Sequence, residues 1–350
     1  DVWEITEITP VVWYRMGAEY LIEGEVEVDG NNLRVEYRIE ELFTTGATNQ
    51  LDRGRLKTGK QNYRRLAHMI ADEAVRHIAA EAPFFTTRIA FISAVTGHKE
   101  LYICDYDGAN IVRLTADESH NLSPCWDQRE DKILFTSYRR GKQQIWEHNI
   151  KTAKSRLISN YPVSNNAAAV SPDNQEIILS LSKDGNAELY VIDRDGKLKR
   201  RLTRIPSIEV GASWSPSGNM IAFQSDRSGS PQIYLMDAEG MNVQRLTFES
   251  KYNDSPDFSP RGDQIAFVSR GRNGAFQICT IDVNGENFTR LDQSGSNENP
   301  HWSPDGWHLV YCKRVGSQKD LCIMDRFGKR LKKITHDGKS SNPAWQPFTD

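Results

Sequence analysis

Short apolar triplets separated by polar turns recur at one fixed spacing over most of the chain. Ile89-Ala-Phe, Ile133-Leu-Phe, Ile177-Ile-Leu, Ile221-Ala-Phe, Ile265-Ala-Phe and Leu309-Val-Tyr each begin 44 residues after the one before. A second series reads Trp126, Val170-Ser-Pro-Asp, Trp214-Ser-Pro-Ser-Gly, Phe258-Ser-Pro-Arg-Gly, Trp302-Ser-Pro-Asp-Gly and Trp345-Gln-Pro, at steps of 44, 44, 44, 44 and 43. Within one repeat, 211–247, four strands can be placed: GASW, MIAFQSD, PQIYLMD and VQRLT. A period of about 40–45 residues made of short strands predicts a β-propeller with one four-stranded blade per repeat. Six repeats predict six blades.

The punctuation supports this reading. Ser-Pro-x-Gly is a tight turn, because Pro fixes φ and Gly supplies a positive φ. The third strand ends at Asp105, Asp193, Asp237, Asp282 and Asp325, with Asn149 in the second blade, and the Asp-ending strands are followed three residues later by Gly108, Gly196, Gly240, Gly285 and Gly328. That pattern marks an outer hairpin. Leu-Thr or a relative closes the fourth strand at Leu114, Leu157, Leu202, Leu246, Leu291 and Ile334. The first repeat begins at its second strand and the last contributes only Pro343-Ala-Trp345. The C-terminal strand is therefore expected to complete the first blade and close the ring, removing open sheet edges.

Residues 1–82 do not repeat and read as a smaller α/β domain, with the propeller over 83–350. Ala18 to Val28 and Leu33 to Ile39 predict a hairpin about the turn Asp29-Gly30-Asn31-Asn32. From Gln61 to Ala80 the period becomes helical, with Leu66, Met69, Ile70, Ala74 and Ile78 as the apolar stripe, and Ala82-Pro83 begins a linker. A helix this long needs more sheet than two or three strands to cover its stripe. Either residues 1–82 lean heavily on the propeller or part of the domain precedes Asp1, and the second, an incomplete domain, is the expectation preferred. The fold class is accordingly mainly β: a six-bladed propeller after an incomplete α/β domain.

Composition then narrows the function. With 44 basic and 47 acidic residues among 350, the chain has no charge excess to hold nucleic acid. No apolar run is long enough to span a membrane. The opening DVWEITEITP lacks the order of a secretory leader, so a leader for an exported protein would lie upstream. Five cysteines are too few and too scattered for a disulfide framework or a zinc site. Cys104, Cys125 and Cys279 read as small buried hydrophobes. Cys312 and Cys322, on successive strands of one blade, could face each other as a disulfide or as two packed thiols.

No nucleophile elbow, phosphate loop or HExxH motif is present, so no catalytic residue, metal or cofactor is expected. His120, His301 and His336 lie in or beside segments joining successive blades; a shared metal there is the weaker reading. The same joining segments carry a stronger signal. They include Asn121-Leu122-Ser123, Ser164-Asn165-Asn166-Ala167, Glu209-Val210-Gly211, Asn253-Asp254-Ser255, Asn297-Glu298-Asn299 and Ser341-Asn342. Such segments cluster at one mouth of a propeller, where convergent amides and carboxylates suit a protein or peptide partner. Taken singly, these residues are also ordinary turn formers. Trp126, Trp214, Trp302 and Trp345 recur at one position and should pack between blades. The basic run 197–204 reads as a protected outer edge, with a phosphate or lipid-headgroup site second.

Together the repeat phrases and the N-terminal part resemble the TolB family, periplasmic propeller proteins of the Tol-Pal cell-envelope system. Gly17-Ala18-Glu19-Tyr20-Leu21-Ile22-Glu23-Gly24 is similar to the family's hairpin entry. Ala67-His68 through Asp72-Glu73 resembles its helix, and Phe85-Thr-Thr-Arg88-Ile-Ala-Phe91 its junction with the first blade. The resemblance implies a non-catalytic periplasmic protein that supports outer-membrane integrity, cell division and protein transport. It also implies binding of the globular domain of the lipoprotein Pal at the tunnel mouth. Carried over by repeat position, the contacts are Ser164, Asn165, Asn166, Ala167, Glu209, Val210, Asn253, Asp254, Asn297, Glu298, Asn299 and Asn342. The family binds TolA through a segment ahead of the α/β domain, and no residue here corresponds to it. Rival expectations are the propeller of a peptidase, which requires a GxSxG hydrolase segment, and a metal-dependent oligosaccharide lyase, which requires a histidine cluster.

Overall fold

The computed structural model describes residues 9–129, 131–162, 164–292, 294–329 and 331–348. Most of the opening decapeptide read for a leader, and the terminal Asp350, lie outside those residues. The chain divides into two compact units, Asp1–Thr86 and Thr87–Asp350.

The first unit holds helix α1 (Pro10–Arg15), strands β1 (Tyr20–Asp29), β2 (Asn32–Leu42) and β3 (Thr48–Gly59), and helix α2 (Tyr63–Ala74), which runs on through a π turn at Val75–Ala79. The hairpin β1–β2 is the one expected. The third strand escaped the sequence pattern because it carries only Leu51 and Leu56 as apolar residues. Helix α2 packs over β2 and β3, so Leu66, Val35, Tyr37 and Ile39 are buried, whereas Met69 of the predicted stripe is exposed. Ile22, Val26 and Val28 of β1 pair with Ile39, Val35 and Leu33 but remain exposed, since β1 is the strand the helix does not cover. The segment after the helix is fastened by Asp72. Its buried carboxylate accepts hydrogen bonds from the backbone N–H groups of Phe84 (2.9 Å), Phe85 (2.7 Å) and Thr86 (2.9 Å).

The second unit contains six four-stranded antiparallel sheets, each built from one repeat except the first. The strand Ser340–Trp345 pairs with Arg88–Ser93, so the C-terminus supplies the innermost strand of the first sheet. The innermost strands Ser340–Trp345, Asn121–Trp126, Asn165–Val170, Glu209–Trp214, Asn253–Phe258 and Ser296–Trp302 each neighbour the next, and the last neighbours the first, which closes a ring. The core lies between sheets. Ile178, Leu189 and Val191 of the third, for example, pack with Trp214, Ile221 and Phe223 of the fourth.

The recurring residues have specific bonding roles. The indole N–H groups of Trp126, Trp214 and Trp302 donate to Ala344 O, Ala169 O and Asp257 O in the preceding sheet, at 2.9, 3.3 and 3.2 Å. The Trp position is therefore both core and inter-blade clasp. The Thr of Leu-Thr accepts the first free N–H of the third strand, as Thr203 does from Leu189 (3.0 Å) and Thr247 from Ile233 (3.0 Å). Gly196 has φ 86°, and a Cβ there would lie 1.9 Å from Ile158 O; the outer hairpin needs glycine for both reasons. Cys312 pairs across the hairpin with Leu321, and Cys322 with Tyr311. Adjacent positions on a strand point to opposite faces, so the disulfide expected as one option between them does not form, and both thiols are free and buried.

Candidate functional site

Every innermost strand is interrupted in the same place. Counting from Asn121, Asn165, Glu209, Asn253, Asn297 and Ser340, the register slips by one residue between the second and fifth positions, at 122/125, 166/169, 210/213, 254/257, 298/301 and 341/344. The residue inside each bulge sits in the left-handed region: Ser123 (φ 47°), Ala167 (50°), Gly211 (62°), Ser255 (51°), Asn299 (53°) and Asn342 (49°). Only one of the six is glycine, and a non-glycine residue there costs about 1 kcal/mol or more. A bulge re-aims the neighbouring side chains and ends regular pairing. Six copies around one ring make a rim of backbone turned out of the ladder.

This local geometry sorts the twelve expected contact residues into two groups. Asn165, Glu209, Asn253 and Asn297, at the first of these positions, are all 0% exposed. Their side chains are hydrogen-bonded inside the fold, most of them to the connecting segment. Asn165 donates to Tyr161 O (2.8 Å) and Gln143 O (3.2 Å) and accepts from Ser159 Oγ (2.6 Å). Asn253 donates to Gln232 Oε1 (2.8 Å), and Asn297 to Asp292 O (3.1 Å). Glu209 accepts from Arg227 (2.9 Å), Ser225 (2.7 Å) and Ser207 (3.0 Å). Burial raises its carboxyl pKa, and the Ser225 and Arg227 donors oppose the rise.

Asn166, Val210, Asp254 and Glu298, at the second position, and Ala167, Asn299 and Asn342, at the bulge, are half-buried. Ser164, just before its strand, is half-buried too and its hydroxyl donates to Gln143. Asn166 accepts from Thr136 Oγ1 (3.3 Å), and Asn299 reaches Ser255 Oγ (3.5 Å) across to the neighbouring sheet. Glu298 pairs with Lys319 at 2.8 Å. Asp254 accepts from the Tyr252 hydroxyl at 2.9 Å, while its other oxygen is buried without a hydrogen-bond partner. Burial pushes the Asp254 carboxyl up to about 6, with the charge of Glu298 adding to the rise.

Sequence reasoning missed Asp257 and Lys319. Asp257 occupies the fifth position, where the second and fourth blades have Cys125 and Ser213; it accepts from Trp302 N (2.8 Å) and lies 3.7 Å from His301. A carboxylate at a small-residue position was the available signal. His120 meets Tyr138 edge-on, and among the described residues no three ligand side chains draw together around His120, His301 or His336. In the basic run, Arg200 pairs with Glu176 (2.8 Å) and Arg201 with Glu188 (3.1 Å), and Lys199 joins Arg200 on Glu176. Those charges are already matched by carboxylates.

Comparison with known proteins agrees with this geometry. The family model described as the TolB beta propeller domain matches residues 75–349. The Tol-Pal system protein TolB of Desulfosudis oleivorans is 33% identical over 193 residues, 55% of this chain and 43% of that protein. Its counterpart in Rickettsia africae is 31% identical over 179 residues, 50% of this chain and 40% of that protein. The matched stretch thus spans less than half the length of either relative. The crystal structure of TolB from Acinetobacter baumannii superposes with a TM-score of 0.85 at 27% identity, covering 98% of this chain and 86% of that one. Among the described residues no helix is long and apolar enough to cross a membrane. With the family model spanning the ring from before its first strand through its closing strand, the chain belongs to the TolB β-propeller family.

Proposed function

We propose that this protein is a non-catalytic, periplasmic component of a Tol-Pal system that binds the globular domain of Pal at the rim of its propeller. The supporting observation is the sixfold bulge, which sets half-buried polar side chains of successive blades side by side at one end of the innermost strands. Asp254 and Glu298 hold equivalent positions in adjacent blades, so this part of the rim is acidic and suits a partner surface with donors or cations.

Calorimetric titration with the soluble domain of the same organism's Pal tests the reading. One-to-one binding is expected, weakened at least tenfold, about 1.4 kcal/mol, by Asp254→Lys. A well-folded sample that does not bind, or a variant that binds as tightly, overturns it.

Asp254 also yields a stability prediction of opposite sign. Its folded pKa of about 6 lies above the 3.8 of an unperturbed Asp, so the folded chain holds the proton more tightly than the unfolded one. Stability from this group is greatest when it is protonated and falls as pH rises from about 4 to 6. Two pKa units correspond to about 3 kcal/mol. Asp254→Asn should therefore raise Tm at neutral pH and flatten its dependence between pH 4 and 6, yet weaken Pal binding. A Tm that falls at neutral pH would contradict the assignment of Asp254 as a charge kept at the expense of stability.

A further inference from the structure

In the first unit, three side chains from two elements converge in a way the propeller reading does not use. Asp52 lies on β3, Glu73 on α2, and His77 four residues later in the π turn that continues the helix. Their ligand atoms all lie within 4.8 Å of one another, and this is the one such group among the described residues. His77 Nε2 is 3.7 Å from Glu73 Oε2 and 4.0 Å from Asp52 Oδ2. A tetrahedral zinc ion bonded at about 2.0–2.1 Å sets its ligand atoms about 3.4 Å apart. The two gaps to His77 exceed that spacing by 0.3 and 0.6 Å, and the two carboxylates lie within the same 4.8 Å, so the ligands must draw in to bind the ion.

We propose that Asp52, Glu73 and His77 form a divalent transition-metal site, with zinc the best-matched ion and water completing the coordination. Two carboxylates and one imidazole are the mixed oxygen and nitrogen set such ions take, and the open position follows from having three protein ligands. The surroundings hold the ligands in place. Tyr37 donates its hydroxyl to Asp52 Oδ2 at 3.0 Å, the kind of outer bond that orients a ligating carboxylate. The ring reaches Asp52 by lying across Gly54, its partner on β3. A Cβ at Gly54 would stand 2.6 Å from the Tyr37 oxygen, so the glycine makes the arrangement possible. Arg76 donates to both Glu73 oxygens at 2.9 Å. It supplies the positive charge that the ion replaces, and it competes with the ion for the Glu73 carboxylate.

The test is titration of the metal-free full chain with Zn²⁺ by calorimetry and with Co²⁺ by visible spectroscopy, alongside four variants. One equivalent should bind, and Co²⁺ should give d–d bands without sulfur charge transfer, since no cysteine belongs to the ligand set. His77→Ala and Asp52→Asn should each weaken binding at least tenfold. Tyr37→Phe should weaken it by about 10–100-fold, the usual cost of losing an outer partner. Arg76→Ala should tighten it, because Glu73 is released; a purely structural ion-pair cluster gives no such gain. All three ligand side chains are partly exposed, so unchanged melting is expected for the His77 and Asp52 variants and serves as the folding control. Absence of stoichiometric binding, or binding that survives both ligand substitutions, refutes the site.

Discussion

A chain ended at Asn342 is expected to lose the cooperative melting of the ring. The cut removes the second half of the innermost strand of the first blade, including Ala344 and Trp345, which are 0% and 2% exposed. Deleting a buried Trp side chain costs about 3–5 kcal/mol on its own. The cut also removes the pairing of Ala344 with Ala90 and of Trp345 with Ile89. It takes the carbonyl that accepts from Trp126 Nε1 at 2.9 Å and the indole that donates to Thr87 Oγ1 at 2.8 Å. Loss of the Ala344 carbonyl leaves the buried Trp126 indole N–H unsatisfied, at about 1–3 kcal/mol. The sum is comparable with the whole stability of a typical domain, about 5–15 kcal/mol. Far-UV circular dichroism during heating and size-exclusion chromatography should show a broad, early transition and association through the opened edge of the strand Arg88–Ser93. A chain ended after Gln346 keeps every one of these contacts and should melt within a few degrees of the full chain. If both truncations melt alike, the closing strand does not hold the ring.

What could be read from the sequence follows from which residues the fold makes periodic. The spacing of Ile89 and its five relatives is fixed by the core between sheets, so blades and closing strand were visible without coordinates. The strand Thr48–Gly59 was not, because its face is made by Gly54 and charged residues whose role depends on Tyr37 reaching across from β2. The rim was half visible. Repeat position correctly put Asn165, Glu209 and Asn253 at the ends of the connecting segments, but polarity alone does not say which way a side chain turns. That is decided by the bulge one or two residues later, which pairs the first position inward and leaves the second and third at the surface. A left-handed residue at Ser123, Ala167 or Ser255 has no compositional mark, and only Gly211, Asn299 and Asn342 hinted at it.

Glu209 gives the sharpest test of that distinction. Glu209→Lys should lower Tm by roughly 10–20 °C, whereas Glu209→Gln should lower it by only a few degrees. The reversal puts an ammonium group in a 0% exposed site beside Arg227, and leaves the Ser207 and Ser225 hydroxyls without their acceptor. Removing one partner of a buried ion pair costs about 3–5 kcal/mol, and like charge adds to it; in a ring of this size 1 kcal/mol moves Tm by about 2–4 °C. Gln is milder for a stated reason. The carboxyl of Glu209 is raised by burial despite its three donors, so its charge is tolerated in the fold more than it is favoured, and an amide oxygen can still accept from the serines. The folded Glu209→Gln protein should bind Pal as tightly as the parent, since position 209 faces inward, while Asp254→Lys in the next blade should not. Loss of Pal binding by Glu209→Gln at unchanged Tm would return Glu209 to the contact surface and undo the division of the rim into fastening and presenting positions.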